Sequence, residues 1–279
     1  MMRALFLAAL LAFVASARAQ FKLPDLNVNR LLESAKNLGK AAREPDENEE
    51  IAIGQDVAAR LLGAAPLLAD ARTQQYVNRV GRWLALQSER PDLPWRFGVL
   101  DAPQVNAFAM PGGTIFITRG LLSKMTSEAE LAGVLSHEIV HVVRKHHLKA
   151  MQKGALAHLS AETAASAWNT VGSEARAKLV SFGTEMYSRG LDKGDELEAD
   201  RLGVVIAARG GYDAYGLPAV LQTLQAMSAS DSALAMMFKT HPAPGERLDA
   251  LNRVQVLLDA YSSQPQLRER FLVETKATH

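Results

Sequence analysis

The stretch Leu135-Ser136-His137-Glu138-Ile139-Val140-His141-Val142-Val143 decides how this chain is read. Its centre is the pattern His-Glu-x-x-His. Residues four apart on a helix share a face, so His137 and His141 can both reach one metal ion. Glu138 lies about 100° round the helix from His137, near enough to touch a metal-held water without being a ligand. The flanking residues favour a helix. Ser127 suits an N-cap, and Glu130 three residues later suggests a capping box. Leu131, Val134, Leu135, Ile139, Val142 and Val143 recur at helical spacing, densely enough for a helix buried on most sides. A histidine pair inside such a helix is out of place unless something binds it.

A catalytic zinc takes three protein ligands and keeps a fourth position open. His147 stands where the last histidine of His-Glu-x-x-His-x-x-Gly-x-x-His would fall, but position 144 is arginine, not the glycine that would turn the chain off the helix. On a continuing helix His146 lies about 180° from His137, and His147 is also off the metal face. Both are set aside as ligands and expected to be exposed near the helix C-terminus, where histidine is favourable. The third ligand is sought in Asp195-Glu196-Leu197-Glu198-Ala199-Asp200. Glu196 and Asp200 share a helical face, and Glu198 lies roughly opposite, at about 200°. Glu196 can therefore ligate, while Asp200 accepts the free ring N–H of a histidine ligand. One Zn2+ per chain, held by His137, His141 and Glu196, would acidify its water and polarise a carbonyl. Glu138 would take the water proton as general base and return it to the leaving amine. The candidates for an oxyanion donor are His241, Tyr187 and Arg247, in that order.

The chain has 279 residues, 48% hydrophobic and 22% charged, so it is globular and suits one large domain or two small ones. A net charge of +1, without a long block of like charge, argues against a nucleic-acid partner. Arg3, the apolar run Ala4–Ala15 and Ala17-Arg18-Ala19 form a cleavable secretory signal over residues 1–19, with maturation at Gln20. The chain contains no cysteine, which excludes a disulfide framework, a thiolate zinc site, a cysteine nucleophile and a lipoprotein anchor. No later stretch reaches transmembrane length. The expected product is soluble and periplasmic, with no stable membrane insertion after signal cleavage.

Residues 20–48 read as a short amphipathic helix (Val28, Leu31, Leu32, Ala35, Leu38) and a linker, with the acidic run Glu44–Glu50 as a solvated linker and helix start. Helices follow at Ile51–Leu62 and Thr73–Gln87, then a strand at Trp95–Leu100. Two apolar runs around Pro111-Gly112-Gly113, within Asn106–Thr118, predict strand, turn, strand. Two readings of that unit stand side by side. One is an edge strand on which an extended peptide pairs, through Asn106, Phe108, Met110, Gly112 and Gly113. The other is an ordinary hairpin. Lys149–Arg189 holds further helical segments near Ala155–Ala167 and Ser173–Tyr187, as a cover or as scaffold. Asp192–Arg209 is a helix stopped by Gly210-Gly211. Amphipathic helices are expected at Pro218–Met227, opening on its proline, and at Glu246–Tyr261. A frayed tail begins at Gln264. The domain itself spans residues 49–260, with a tail over 261–279.

Several motifs together resemble the zinc metallopeptidase family that includes the CAAX prenyl proteases, HtpX and BepA (peptidase family forty-eight of the metallo class). They are Asn106-Ala107-Phe108-Ala109-Met110-Pro111-Gly112-Gly113, Leu135–His141, Tyr187-Ser188-Arg189, Glu196–Gly203 and Thr240-His241-Pro242. The resemblance implies an α+β, mainly helical gluzincin (zincin-like) fold with a small sheet beside the His-Glu-x-x-His helix. It also implies zinc on His137, His141 and Glu196, with Glu138 as the acid/base. In BepA-like members a histidine matching His241 can approach the zinc, which would make His241 a regulatory fourth ligand here. The chain departs from the family in having no later membrane helices and no tetratricopeptide array before His279. It also has an extra stretch, Gly190–Asp195, expected to reshape the approach to the metal. The function implied is a periplasmic zinc endopeptidase acting on unfolded or misassembled envelope proteins. The alternatives are a latched, chaperone-like binding protein with little turnover, and a structural zinc protein, against which the presence of Glu138 argues.

Overall fold

The computed structural model describes residues 44–158, 190–227 and 233–278. Helix α1, Glu47–Ala64, opens on a capping box: the Asp46 carboxylate accepts from the Glu49 N–H at 2.9 Å, and that of Glu49 accepts from the Asp46 N–H at 3.0 Å. The acidic run is the helix start expected, but at Glu50 the expected solvation fails. Glu50 is fully buried. Its carboxylate accepts a bidentate pair from Arg90, at 2.9 and 3.0 Å, and the Gly112 N–H at 3.0 Å. A buried carboxylate needs such partners to stay charged.

Helix α2, Ala71–Ala85, lies along β1, Arg96–Leu100. Two of its amide side chains act as a substitute strand. Gln74 accepts from the Val99 N–H at 2.9 Å and donates to the Val99 carbonyl at 2.7 Å, and Asn78 accepts from the Phe97 N–H at 3.1 Å. This closes one edge of the sheet. The predicted hairpin is present as β2, Ala107–Met110, and β3, Thr114–Thr118, joined through Gly112 and Gly113 at φ 76° and 101°, where only glycine sits without strain. The sheet order is β1-β3-β2, with β1 parallel and β2 antiparallel to β3. So β2 is the other edge strand.

After the single turn α3, Arg119–Leu122, comes α4, Glu128–Val143, which carries His-Glu-x-x-His and is buried at every residue from Glu128 to Val142. Ser127 caps it by accepting the Glu130 N–H at 3.2 Å, as predicted. The Glu130 carboxylate instead turns to Thr126, accepting its N–H and its hydroxyl, both at 2.8 Å. Glu128, fully inside the first turn, accepts the hydroxyls of Tyr76 and Tyr212 at 2.8 Å each and the guanidinium of Arg270.

The predicted continuation of this helix past Arg144 does not occur. Arg144 is the C-cap, Lys145 takes a left-handed conformation (φ 57°), and α5 begins at His146 (His146–His158). Ion pairs hold the corner: Arg144 to Glu89 at 2.8 Å and Glu198 at 3.3 Å, Lys145 to Glu44 at 2.9 Å. Helix α6, Lys193–Arg209, stops at Gly210-Gly211 as expected and packs closely against α4. A Cβ on Gly203 would sit 3.0 Å from the His137 backbone nitrogen, so glycine sets that approach.

Helix α7, Gly216–Ala226, starts two residues before Pro218. It is followed by α8, Ala235–Thr240. The single helix expected over Glu246–Tyr261 is two, α9, Pro244–Asn252, and α10, Gln255–Asp259, because the chain turns at Arg253-Val254. The tail is not frayed. Helix α11, Arg268–Glu274, buries Phe271 completely, and the Glu274 carbonyl accepts the Thr73 hydroxyl at 3.0 Å. Among the described residues no helix is long and apolar enough to cross a membrane. The signal, the helix over residues 28–38 and most of Lys149–Arg189 beyond His158 lie outside the described residues.

Replacing Phe271 by Ala should cost about 3–5 kcal/mol, the range for a fully buried aromatic. Urea unfolding measures it, and a loss below about 1 kcal/mol would show that α11 is not part of the core.

Candidate metal centre and active site

Helices α4 and α6 bring together the three ligands inferred from spacing. The Nε2 atoms of His137 and His141 are 3.0 Å apart. The Glu196 carboxylate lies 3.6 Å from His137 Nε2 and 3.5 Å from His141 Nε2. Ligand atoms at the corners of a tetrahedron around zinc, each about 2.0–2.1 Å from the ion, stand about 3.3 Å apart. The observed spacings match that size. Glu196 Oε2 is buried and has no hydrogen-bond partner among the described residues, and an orphaned carboxylate oxygen facing two imidazoles fits a cation between them.

Behind His137 stands Asp200, one turn along α6 from Glu196. Its Oδ1 accepts the His137 Nδ1–H at 2.9 Å, which leaves the Nε2 lone pair facing Glu196. Arg247, from α9, donates Nε and Nη2 to Asp200 at 2.9 and 2.5 Å. Burial works to raise the Asp200 carboxyl, but the Arg247 charge and the bonds from Arg247 and His137 hold it well below the carboxylate range. Burial, and then the charge of Arg247 or of the neighbouring imidazoles, lowers His137 and His141 and keeps both neutral, the form a metal needs. The guanidinium considered for an oxyanion is thus engaged with Asp200, though Arg247 also borders the cavity at Glu138.

Glu138 is buried, and burial pushes its carboxyl up to about 8. Burial pushes Glu196 up to about 8 as well. A divalent cation beside them reverses that balance by favouring the ionised forms. Glu138 borders two small cavities. One, of about 40 Å³, is lined mainly by apolar residues, among them Leu121, Val134, Leu217, Val220 and Met237. The other, of about 20 Å³, lies among Phe108, Gly190, Leu191, Glu196 and Thr240. Gly190 and Leu191, from the extra stretch before α6, therefore do border the approach.

His241 and Asn106 border both cavities. His241 Nδ1 meets the Thr240 hydroxyl at 2.9 Å, and its Nε2 lies 3.8 Å from Glu196 Oε2. Asn106 is buried with its Oδ1 unpartnered among the described residues. Of the residues considered for substrate pairing, the structure brings Asn106 and Phe108 to the site. Met110, on the same face of β2 as Phe108 but further from the site, is buried in a cluster with Ile53 and Val57, and Gly112 and Gly113 sit at the turn against Ile51 and Trp95. Tyr187 lies outside the described residues.

Two histidines expected to be exposed are not. His147 is half-buried, its ring 5.4 Å from that of His141. His146 is buried, with Nδ1 at 3.0 Å from His141 Nδ1. The left-handed corner at Lys145 swings α5 back over α4 and turns these rings inward. Neither joins the ligand cluster among the described residues.

Residues 71–255 match peptidase family M48. The β-barrel assembly-enhancing protease of Yersinia pestis is 32% identical over 222 residues, 74% of this chain and 44% of that protein. Its namesake in Escherichia coli is 31% identical over 221 residues, again 74% of this chain and 44% of that protein. The mitochondrial metalloendopeptidase OMA1 of Bos taurus is 29% identical over 177 residues, 58% of this chain and 33% of that protein. The chain spans less than half the length of these curated relatives.

The electrostatics give a pH signature for the protein with chelator present. The carboxyls of Glu138 and Glu196 stay protonated in the fold up to about 8 but ionise at ordinary acidity once unfolded, so their stabilisation is lost as pH rises towards 8. The buried neutral histidines work the other way, and only below about pH 6.5, where the unfolded chain takes up protons. The melting temperature of the chelated protein should therefore fall between about pH 6.5 and 8, and less steeply in Glu138→Gln. A melting temperature level over that window would contradict the burial of these carboxyls.

Proposed function

The chain belongs to peptidase family M48, and from that premise we propose that it is a zinc-dependent endopeptidase. The observation that carries this reading is the convergence of His137, His141 and Glu196 around an unpaired carboxylate oxygen, with buried Glu138 alongside. A zinc ion held there supplies a Lewis acid that polarises a carbonyl and acidifies a water. Glu138, next to His137 in sequence but off the ligand face, takes the proton of the attacking water and returns it to the leaving amine. Its position suits both tasks, since it is buried beside the ligand set and borders both cavities. Asp200 and Arg247 keep His137 in one tautomer and one orientation. The edge strand β2 offers a backbone on which an extended peptide can pair, beginning at Asn106, which lines the same cavities. The apolar cavity beside Glu138 favours a substrate with an apolar side chain next to the scissile bond.

The physiological part of the proposal is a role in quality control of unfolded or misassembled envelope polypeptides, in the periplasm. Support comes from the names of the two assembly-enhancing proteases above and from the secretory signal read in residues 1–19.

One observation favours a second reading, a latched binding protein with zinc and little turnover. His241 reaches from the end of α8 to 3.8 Å from Glu196, and its ring lies 6.0 Å from that of His137. There it can serve as a fourth ligand that excludes water, or, swung back, as a donor to an oxyanion.

Casein hydrolysis separates the two readings. A peptidase cleaves casein, and Glu138→Gln lowers the rate by about 10²–10⁴-fold while zinc stays at one per chain. Full activity in that variant would sink the mechanism. A latched protein is inert as wild type and gains turnover in His241→Ala. Fragment masses should place apolar residues beside the cut bonds.

A further inference from the structure

The two histidines at the metal centre are supported differently. His137 turns its Nδ1–H to a carboxylate directly, whereas His141 turns its Nδ1 to a second imidazole, His146 Nδ1, at 3.0 Å. Two ring nitrogens at that distance need one N–H and one lone pair. For His141 Nε2 to face a metal it must carry the lone pair, so the proton sits on Nδ1. His146 Nδ1 is then the acceptor, and its own proton is on Nε2. That atom faces the acids of α6, at 3.4 Å from Glu198 and 3.7 Å from Asp195. With both Nε2 lone pairs turned toward the proposed cation, one assignment of protons satisfies the outer contacts, and it runs from the Glu198 carboxylate through His146 to His141.

We propose that His146 is a positioning residue for the metal centre, fixing the tautomer and ring orientation of His141 and passing to it the negative charge of Glu198 and Asp195. The inference rests on the metal-centre reading above. It gives Glu198, which helical spacing sets away from the ligand face, a task at the same centre, since Glu198 also holds Arg144 at the corner that presents His146. It also accounts for the left-handed conformation of Lys145, a non-glycine residue that bears a local strain. Without that corner α4 would run on and His146 would face away.

The test is zinc affinity, by competition against a chromophoric chelator, for wild type, His146→Leu, His146→Asn and His141→Ala. Leucine fills the space without accepting a hydrogen bond. Asparagine keeps an acceptor where the imidazole carries Nδ1. Loss of an outer hydrogen-bond partner weakens a metal site by about 10–100-fold, so His146→Leu should show that loss and His146→Asn should stay within about threefold of wild type. The titrations are run below the melting transition of each chelated variant, so that a change in zinc affinity is not a loss of fold, and rescue by Asn at a melting temperature no higher than that of Leu would set positioning apart from a purely structural role. Equal weakening in Leu and Asn variants, or none in either, overturns the proposal. If His141→Ala itself leaves zinc binding intact, the metal-centre reading has failed instead.

Discussion

A carboxylate inside a protein must be given partners, and most of this structure is arranged around doing so. Glu50 is met by Arg90 and the Gly112 N–H, Glu128 by two tyrosines and Arg270, and Asp200 by Arg247 and His137. Each set draws its donors from elements distant in sequence, so each is also a tie between elements. Glu50 binds α1 to the hairpin turn, Glu128 binds the start of α4 to α2 and α11, and Asp200 binds α6 to α4 and α9. Glu196 is treated differently. Its Oε2 faces two neutral imidazoles and accepts no hydrogen bond among the described residues. A buried carboxylate oxygen left without a donor beside imidazoles is the feature on which the proposed cation site rests.

The centre is asymmetric. On one side Asp200 and Arg247 form a tight ionic pair behind His137, sealed from solvent. On the other, His141 leans on an imidazole whose acidic partners are partly exposed on α6. Charge is therefore tightly fixed behind His137 and softer behind His141. Glu138 lies on the cavity side, where a substrate would enter.

The sequence made the α4 site legible because helical spacing is rigid. Two histidines four apart, and two acids four apart on a second helix, leave few ways to meet, and the apolar pattern around Leu131–Val143 says which side is buried. The hairpin was equally readable, since Pro111-Gly112-Gly113 names its own turn. What could not be read depends on backbone torsions or on distant partners. Nothing in Arg144-Lys145 announces a left-handed corner, so His146 and His147 looked exposed. Glu50 sat in a run of acids, and only Arg90 and Gly112, 40 and 62 residues on, mark it as buried. Phe271 is a lone aromatic in a charged segment, and its pocket between α2 and α4 exists only in three dimensions.

The tie at Glu128 has a consequence for the order of folding. The carboxylate opens the helix that carries His137, yet its cation, Arg270, follows 142 residues later. Until that residue joins, the first turn of α4 holds an acid inside the protein with only two phenols to steady it. The first turn of α4 is therefore complete only when segments from both ends of the domain meet at one carboxylate.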